Sequence, residues 1–357
     1  MTDQNNESEK IRLTQFSRGA GCGCKIAPSV LQEMLKSNLP LIQNNNLLVG
    51  NDTNDDAAVL DIGGGKAIIS TTDFFMPIVD DAFEFGSIAS ANAISDVYAM
   101  GGKPLMAVAI LGWPIEKIST SIAQQVLEGA RNICAKANIP LAGGHTIDTV
   151  EPMFGLAVTG IVDVSKIKKN NTASKGDWLF ITKPIGLGIL STAQKRDVIA
   201  PEHTVEMIHF MTQLNSIGML LAETSGVTAM TDVTGFGLLG HCIEMAEGAG
   251  LSLDLYYSKI PVVNGAKEYL SKRIVPDATY RNWNSYSAKT SFEKGVNVME
   301  AFNLLPDPQT NGGLLFSVNE TNIDEVTALL KANGYADFIS PIGRFTEVKE
   351  KIIQVLI

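Results

Sequence analysis

Cysteine is scarce in this chain. Four occur in 357 residues, Cys22, Cys24, Cys134 and Cys242, too few for a disulfide scaffold and expected to be free thiols in a reducing compartment. Long apolar runs are missing too. The longest, 105–115 and 154–164, are interrupted by Gly or Pro and fall well short of the ~20 residues that cross a bilayer. The first ten residues are polar and charged, without the apolar core of a signal peptide. These absences lead to the expectation of a cytoplasmic protein with no membrane partner. Basic excess is also lacking: 28 Lys and Arg stand against 38 Asp and Glu, a net charge of -10. A nucleic-acid backbone would be repelled overall, so no nucleic-acid partner is expected. A nucleotide remains compatible, because metal ions and local amides bind phosphate on an acidic surface. There is no Walker glycine-lysine loop and no Rossmann glycine fingerprint with a properly spaced acid. A nucleotide site here would have to be built on metal-bridged carboxylates. No fixed-period repeat and no low-complexity tract occurs.

The length exceeds that at which one core stops growing, so two domains are expected. Residues 1–50 read as an arm with one short helix around Val30, Leu31, Met34 and Leu35. An N-terminal domain spans 51–170 and a C-terminal domain 171–357, divided at a Lys- and Asn-rich stretch, 166–177. In the first, strands are predicted at 57–60 and 67–70 around the Gly63-Gly64-Gly65 turn, at 105–111 and at 154–164, with helices at 84–100 and 118–137. In the second, strands are predicted at 178–182, 227–230, 314–318 and 338–342, and helices at 187–194, 202–223, 236–247 and 324–332. The stretch 277–290 reads as irregular. Alternation of this kind makes an α+β fold of α/β layers. Cys134 and Cys242 fall in helical patterns and are expected in the core.

One loop stands out: Gly19-Ala20-Gly21-Cys22-Gly23-Cys24-Lys25. Its glycines free the backbone for close approach to a ligand, and Lys25 favours the thiolate, the nucleophilic form. One residue between the thiols is the wrong spacing for half a zinc finger. By itself the loop is equally a flexible arm with incidental cysteines. A second signal is acidic. Asn54-Asp55-Asp56 opens the first strand, Thr71-Thr72-Asp73 closes the second, and Thr231-Asp232 ends a strand in the other half. Asn92 and Asp96, four apart, share one helix face, and a charge there would be costly in an otherwise apolar helix. Singly such acids are caps or turn formers; together they suit a hard cation such as Mg²⁺. The glycines of Ala142-Gly143-Gly144-His145-Thr146 suit close approach to phosphate. Thr234-Gly235-Phe236-Gly237 is either a helix cap with a close packing contact or an anion site.

In combination, and with Ala99-Met100-Gly101-Gly102-Lys103-Pro104, these motifs closely resemble the selenophosphate synthetase (selenide, water dikinase) family. The likeness runs from about Ile11 to the C-terminus. The strand-end acids and the Met-Gly-Gly-Lys-Pro turn are shared by the wider aminoimidazole ribonucleotide synthetase-like ATP enzymes, while the Cys-Gly-Cys-Lys loop picks out the member. The resemblance implies a two-domain fold of that type with a flexible Gly/Cys-rich arm, assembled as a homodimer. It implies conversion of ATP, selenide and water to selenophosphate, AMP and phosphate, the selenium coming as selenide or from a delivery protein. The product would be the selenium donor for selenocysteine and selenouridine synthesis. Cys22 and Lys25 are implied as catalytic, and Asp56, Asp96 and Asp232 as Mg²⁺ ligands. ATP contacts are implied at Lys25, Thr53, Asn54, Asp55, Asp73, Asp96, Gly144, His145 and Thr146. Two departures from the family pattern, Arg18 for His and Asn311 for Ser, are expected not to touch a residue with a role. Two other readings compete: another ATP enzyme of the same superfamily, or a non-catalytic thiol-based selenium or metal binder. The first has no use for a soft nucleophile on the arm, and the second predicts no AMP.

Overall fold

The computed structural model describes residues 11–17, 21, 30, 33–36, 44–50 and 55–357. Two sheets organise it. The first has six strands in the order β1-β2-β3-β6-β4-β5: β1 Leu47–Val49, β2 Ala58–Gly63, β3 Lys66–Phe75, β4 Lys103–Trp113, β5 Leu141–Asp148 and β6 Met153–Asp163. Every pairing is antiparallel except β4 with β5. The Gly63-Gly64-Gly65 turn joins β2 to β3 with positive φ at all three glycines, backbone that only glycine adopts without strain.

One face of this sheet is covered by helices α1 Ala82–Ala99 and α2 Thr120–Lys136. Asp81 caps α1 by accepting from the Glu84 N–H, and all but two residues of α1 are buried. A helix apolar and small on all sides belongs inside a protein. Its small residues let α2 come close. A Cβ on Gly86 would lie 1.9 Å from the Val126 carbonyl oxygen, and one on Gly129 would lie 2.0 Å from that of Phe83. The opposite face of α1 meets the second domain.

That domain holds seven strands in the order β10-β13-β9-β12-β7-β11-β8. They are β7 Trp178–Ile181, β8 Val227–Asp232, β9 Ser252–Tyr256, β10 Thr290–Phe292, β11 Leu314–Val318, β12 Gly343–Thr346 and β13 Ile353–Leu356. Its helices are α3 Leu187–Lys195, α4 Pro201–Thr212, α5 Ile217–Glu223, α6 Gly237–Gly248, α7 Ala266–Ser271, α8 Asp277–Tyr286, α9 Val298–Leu304 and α10 Ile323–Ala332. Cys134 and Cys242 are buried free thiols, and burial pushes the Cys134 thiol up to about 11. No helix among the described residues is long and apolar enough to cross a membrane.

Three expectations need correction. The single helix over 202–223 is two, α4 and α5. The chain leaves the helix at Gln213 because its carbonyl is taken by the Lys183 ammonium and the Asn311 amide, and Asn215 turns inward to Ser95 and Gly312. The irregular stretch 277–290 contains the ten-residue α8. Its inner face includes Asn282, a poor helix former that is retained because its amide donates to the Gly235 and Pro306 carbonyls. The last predicted strand lies later, at β12, while Ala336–Phe338 forms a 3₁₀ turn.

Candidate active site

The acids read as lying at strand ends meet where α1 passes between the two sheets, although Asp73 lies inside β3, which runs on to Phe75. Period-two alternation turns Thr71 and Asp73 of β3 toward α1, and the four-residue spacing on α1 turns Asn92 and Asp96 toward β3. The pairs engage. The Asn92 amide donates to Asp73 Oδ2 at 2.6 Å, and the Thr71 hydroxyl donates to Asp96 Oδ2. Asp232, 1% exposed at the end of edge strand β8, accepts from the Ser95 hydroxyl. Asp56 accepts from the Thr231 hydroxyl at 2.9 Å through Oδ1, while its buried Oδ2 has no hydrogen-bond partner among the described residues. Asp55 accepts the Asn170 N–H at 2.8 Å. Residues of both domains therefore face one another across β2, β3, α1 and β8.

The electrostatics are those of crowded like charges. Burial raises the Asp56 carboxyl well above its ordinary value, and the charges of Asp232 and Asp96 push it further; the Thr231 hydroxyl opposes the rise. An orphaned carboxylate oxygen among mutually repelling acids fits a hard divalent cation, which accepts carboxylate oxygens and leaves places for phosphate and water. Among the described residues, however, no three His, Cys, Asp or Glu side chains are gathered closely enough to hold a metal by themselves.

Sequence reading missed the supports. Lys183 follows β7 and is wholly buried; its ammonium donates to the Gln213 and Asn311 carbonyls, both at 2.8 Å. Burial lowers it to about 7, against the pull of the Asp232 charge. Asn311, expected to be peripheral, is fully buried with φ at 50°, a left-handed conformation that Asn tolerates better than most residues. Its N–H donates to Asn92 Oδ1 at 2.7 Å, so it touches no residue implied to bind or catalyse but supports one that holds Asp73. A lysine directly after an apolar strand was the available sequence signal; nothing local marked Asn215 or Asn311.

Other expected residues lie apart. Gly144, His145 and Thr146 sit on β5, an exposed edge strand. Three strand spacings, ~14 Å, separate it from β3, so the chain does not bring these residues to the acids. Cys22, Lys25, Thr53 and Asn54 lie outside the described residues. The turn before α6 makes a close packing contact, without a side-chain cap. Gly237 has φ of 70°, and a Cβ there would lie 2.6 Å from the Pro306 backbone.

Comparison with known proteins places this architecture. The family described as AIR synthase related protein, N-terminal domain, matches residues 54–162, and its C-terminal counterpart matches 174–356. A selenide, water dikinase of Aeromonas salmonicida (strain A449) is 54% identical over 334 residues, covering 94% of this chain and 95% of that protein. The chain belongs to the selenide, water dikinase family. Another selenide, water dikinase, from Yersinia pseudotuberculosis serotype I (strain IP32953), is 52% identical over 98% of this chain and 99% of its own length. Thiamine monophosphate kinase from Aquifex aeolicus shares the fold at 17% identity, with a TM-score of 0.64 over 92% of this chain and 94% of that one. As a member of the selenide, water dikinase family, the chain is an enzyme with the two-domain AIR synthase-like fold.

Proposed function

We propose that the protein makes selenophosphate from ATP, selenide and water, releasing AMP and phosphate, with Asp56, Asp96 and Asp232 as the Mg²⁺-binding carboxylates. The observation that carries this reading is the buried Oδ2 of Asp56, without a partner among the described residues and set among repelling acids, in a chain so close to named selenide, water dikinases. Bound there, Mg²⁺ would neutralise the polyphosphate, the main requirement of phosphoryl transfer. Asp55 and Asp73, with Thr53 and Asn54 just before Asp55 in the chain, would orient the nucleotide. Asn92 and Thr71 hold Asp73 and Asp96 in place through the hydrogen bonds above. Cys22 would present or shelter the selenium and Lys25 attract it, delivered as free selenide or by a carrier protein. Free thiols suit a reducing cytoplasm.

The homodimer belongs to the same proposal. The sheet face turned away from α1 carries Leu60, Phe74, Met106 and Val108, each 37–49% exposed. Val108 and Phe74 flank β6, opposite Ala157 and Gly155. An exposed apolar sheet face marks an association surface. Joining two such faces offers a way for Gly144, His145 and Thr146 of one copy to serve the nucleotide of the other.

The test is anaerobic incubation with ATP, Mg²⁺ and selenide, followed by phosphorus NMR. A selenium-bonded phosphorus signal and AMP are expected, lost in Cys22→Ser and largely kept in Cys24→Ser. Neither signal above the protein-free control would sink the reading.

A further inference from the structure

A cavity with a basic lining lies apart from the carboxylate cluster. It has a volume of about 350 Å³ and opens between α3 and α8, bounded by Pro308 and Thr310 and by Ile78 of the first domain. Lys195, Arg196 and Arg281 line it, against one carboxylate, Asp277, among the described residues. On a chain of net charge -10, this is a local reversal of sign. The nearby hydroxyls of Ser191 and Thr192 are spent on the Gly188 carbonyl, at 3.0 and 2.8 Å, so recognition falls to the cations. Two guanidinium forks and an ammonium match the terminal oxygens of a phosphate.

Position connects the cavity to the chemistry. The Lys195 ammonium donates to the Ser17 carbonyl at 3.0 Å, and Arg12 reaches the Gln194 carbonyl at 3.4 Å. The Gly21 N–H donates to the Met76 carbonyl at 3.3 Å. A Cβ at Gly21 would lie 2.4 Å from Ile78 Cδ1 and 2.6 Å from Thr310 Oγ1, both residues of the cavity wall. The described part of the arm thus runs along α3 and reaches the cavity rim one residue before Cys22.

We propose that this cavity is a phosphate subsite, distinct from the carboxylate cluster, that binds inorganic phosphate through Arg196, Arg281 and Lys195. Naming the reaction's own released phosphate as its source rests on the proposed function; the binding itself does not.

The test is calorimetric titration of inorganic phosphate into the full chain without ATP, Mg²⁺ or selenide, with sodium chloride of equal ionic strength as control. Phosphate should bind above the chloride control, and Arg196→Gln/Arg281→Gln should weaken it by about tenfold or more, as loss of charge-assisted bonds requires. Both arginines are exposed, so the melting temperature should hold, and Arg281→Lys should keep part of the affinity. In turnover, added phosphate should inhibit the wild type and spare the double variant. Equal phosphate affinity in wild type and double variant, or heats no larger than with chloride, would overturn the subsite. A chain that binds phosphate through these arginines yet forms no selenophosphate would leave the subsite standing and remove the proposed reaction.

Discussion

The backbone N–H of Asn311 donates to the side-chain oxygen of Asn92 at 2.7 Å, across 219 positions of sequence. The same Asn92 gives its amide to Asp73. One buried side chain therefore ties a loop of the C-terminal domain to an acid of the N-terminal sheet, and the two domains hold the site jointly.

Asn92→Ala should uncouple them. It strands the Asn311 N–H without water and leaves Asp73 without its amide, a loss of about 1–3 kcal/mol. Urea unfolding should register the decrease, and nucleotide affinity should fall with it. Unchanged stability would mean that solvent or a neighbour replaces Asn92 at both ends.

Asp307 gives a pH signature independent of the acids around Asp56. It accepts the Gly188 N–H at 3.0 Å and the Gln309 amide at 2.8 Å, and burial raises its carboxyl to about 8. The unfolded value is about 3.9, so the folded chain keeps a proton that the unfolded chain has released. Stability from this group is complete below about 4 and lost as pH rises toward about 8. Asp307→Asn should flatten the melting-temperature slope between those limits. Equal slopes in both proteins would show that Asp307 is already ionised in the fold.

The apolar sheet face predicts the assembly state. Phe74→Asp and Val108→Asp each place a charge on the proposed contact, where burial without a partner is costly. Sedimentation should give a two-chain mass for the wild type and a one-chain mass for each variant. A wild type of one-chain mass would refute the homodimer.

Much of the architecture was legible in the sequence, for physical reasons that are local. The period-two runs around Gly63-Gly64-Gly65 marked β2 and β3, and the small apolar residues of 84–100 marked α1. The four-residue spacing of Asn92 and Asp96 showed that they would point the same way. Elements whose inner face carries polar residues went unread, as α8 did, because Asn282 is explained only by the carbonyls it meets.

The sequence by itself determined the two-domain alternation, the motifs that carry the family resemblance and the shared face of Asn92 and Asp96, since these are read from residues near one another in the chain; Asp73, read as closing a strand, instead lies inside β3. Only the tertiary structure decided which of the acids meet. It placed Asp56 beside Thr231, set Ser95 against Asp232 and buried Lys183 behind them, while leaving Gly144 to Thr146 on the far edge. Such groupings depend on strand order and domain docking, which join residues far apart in sequence.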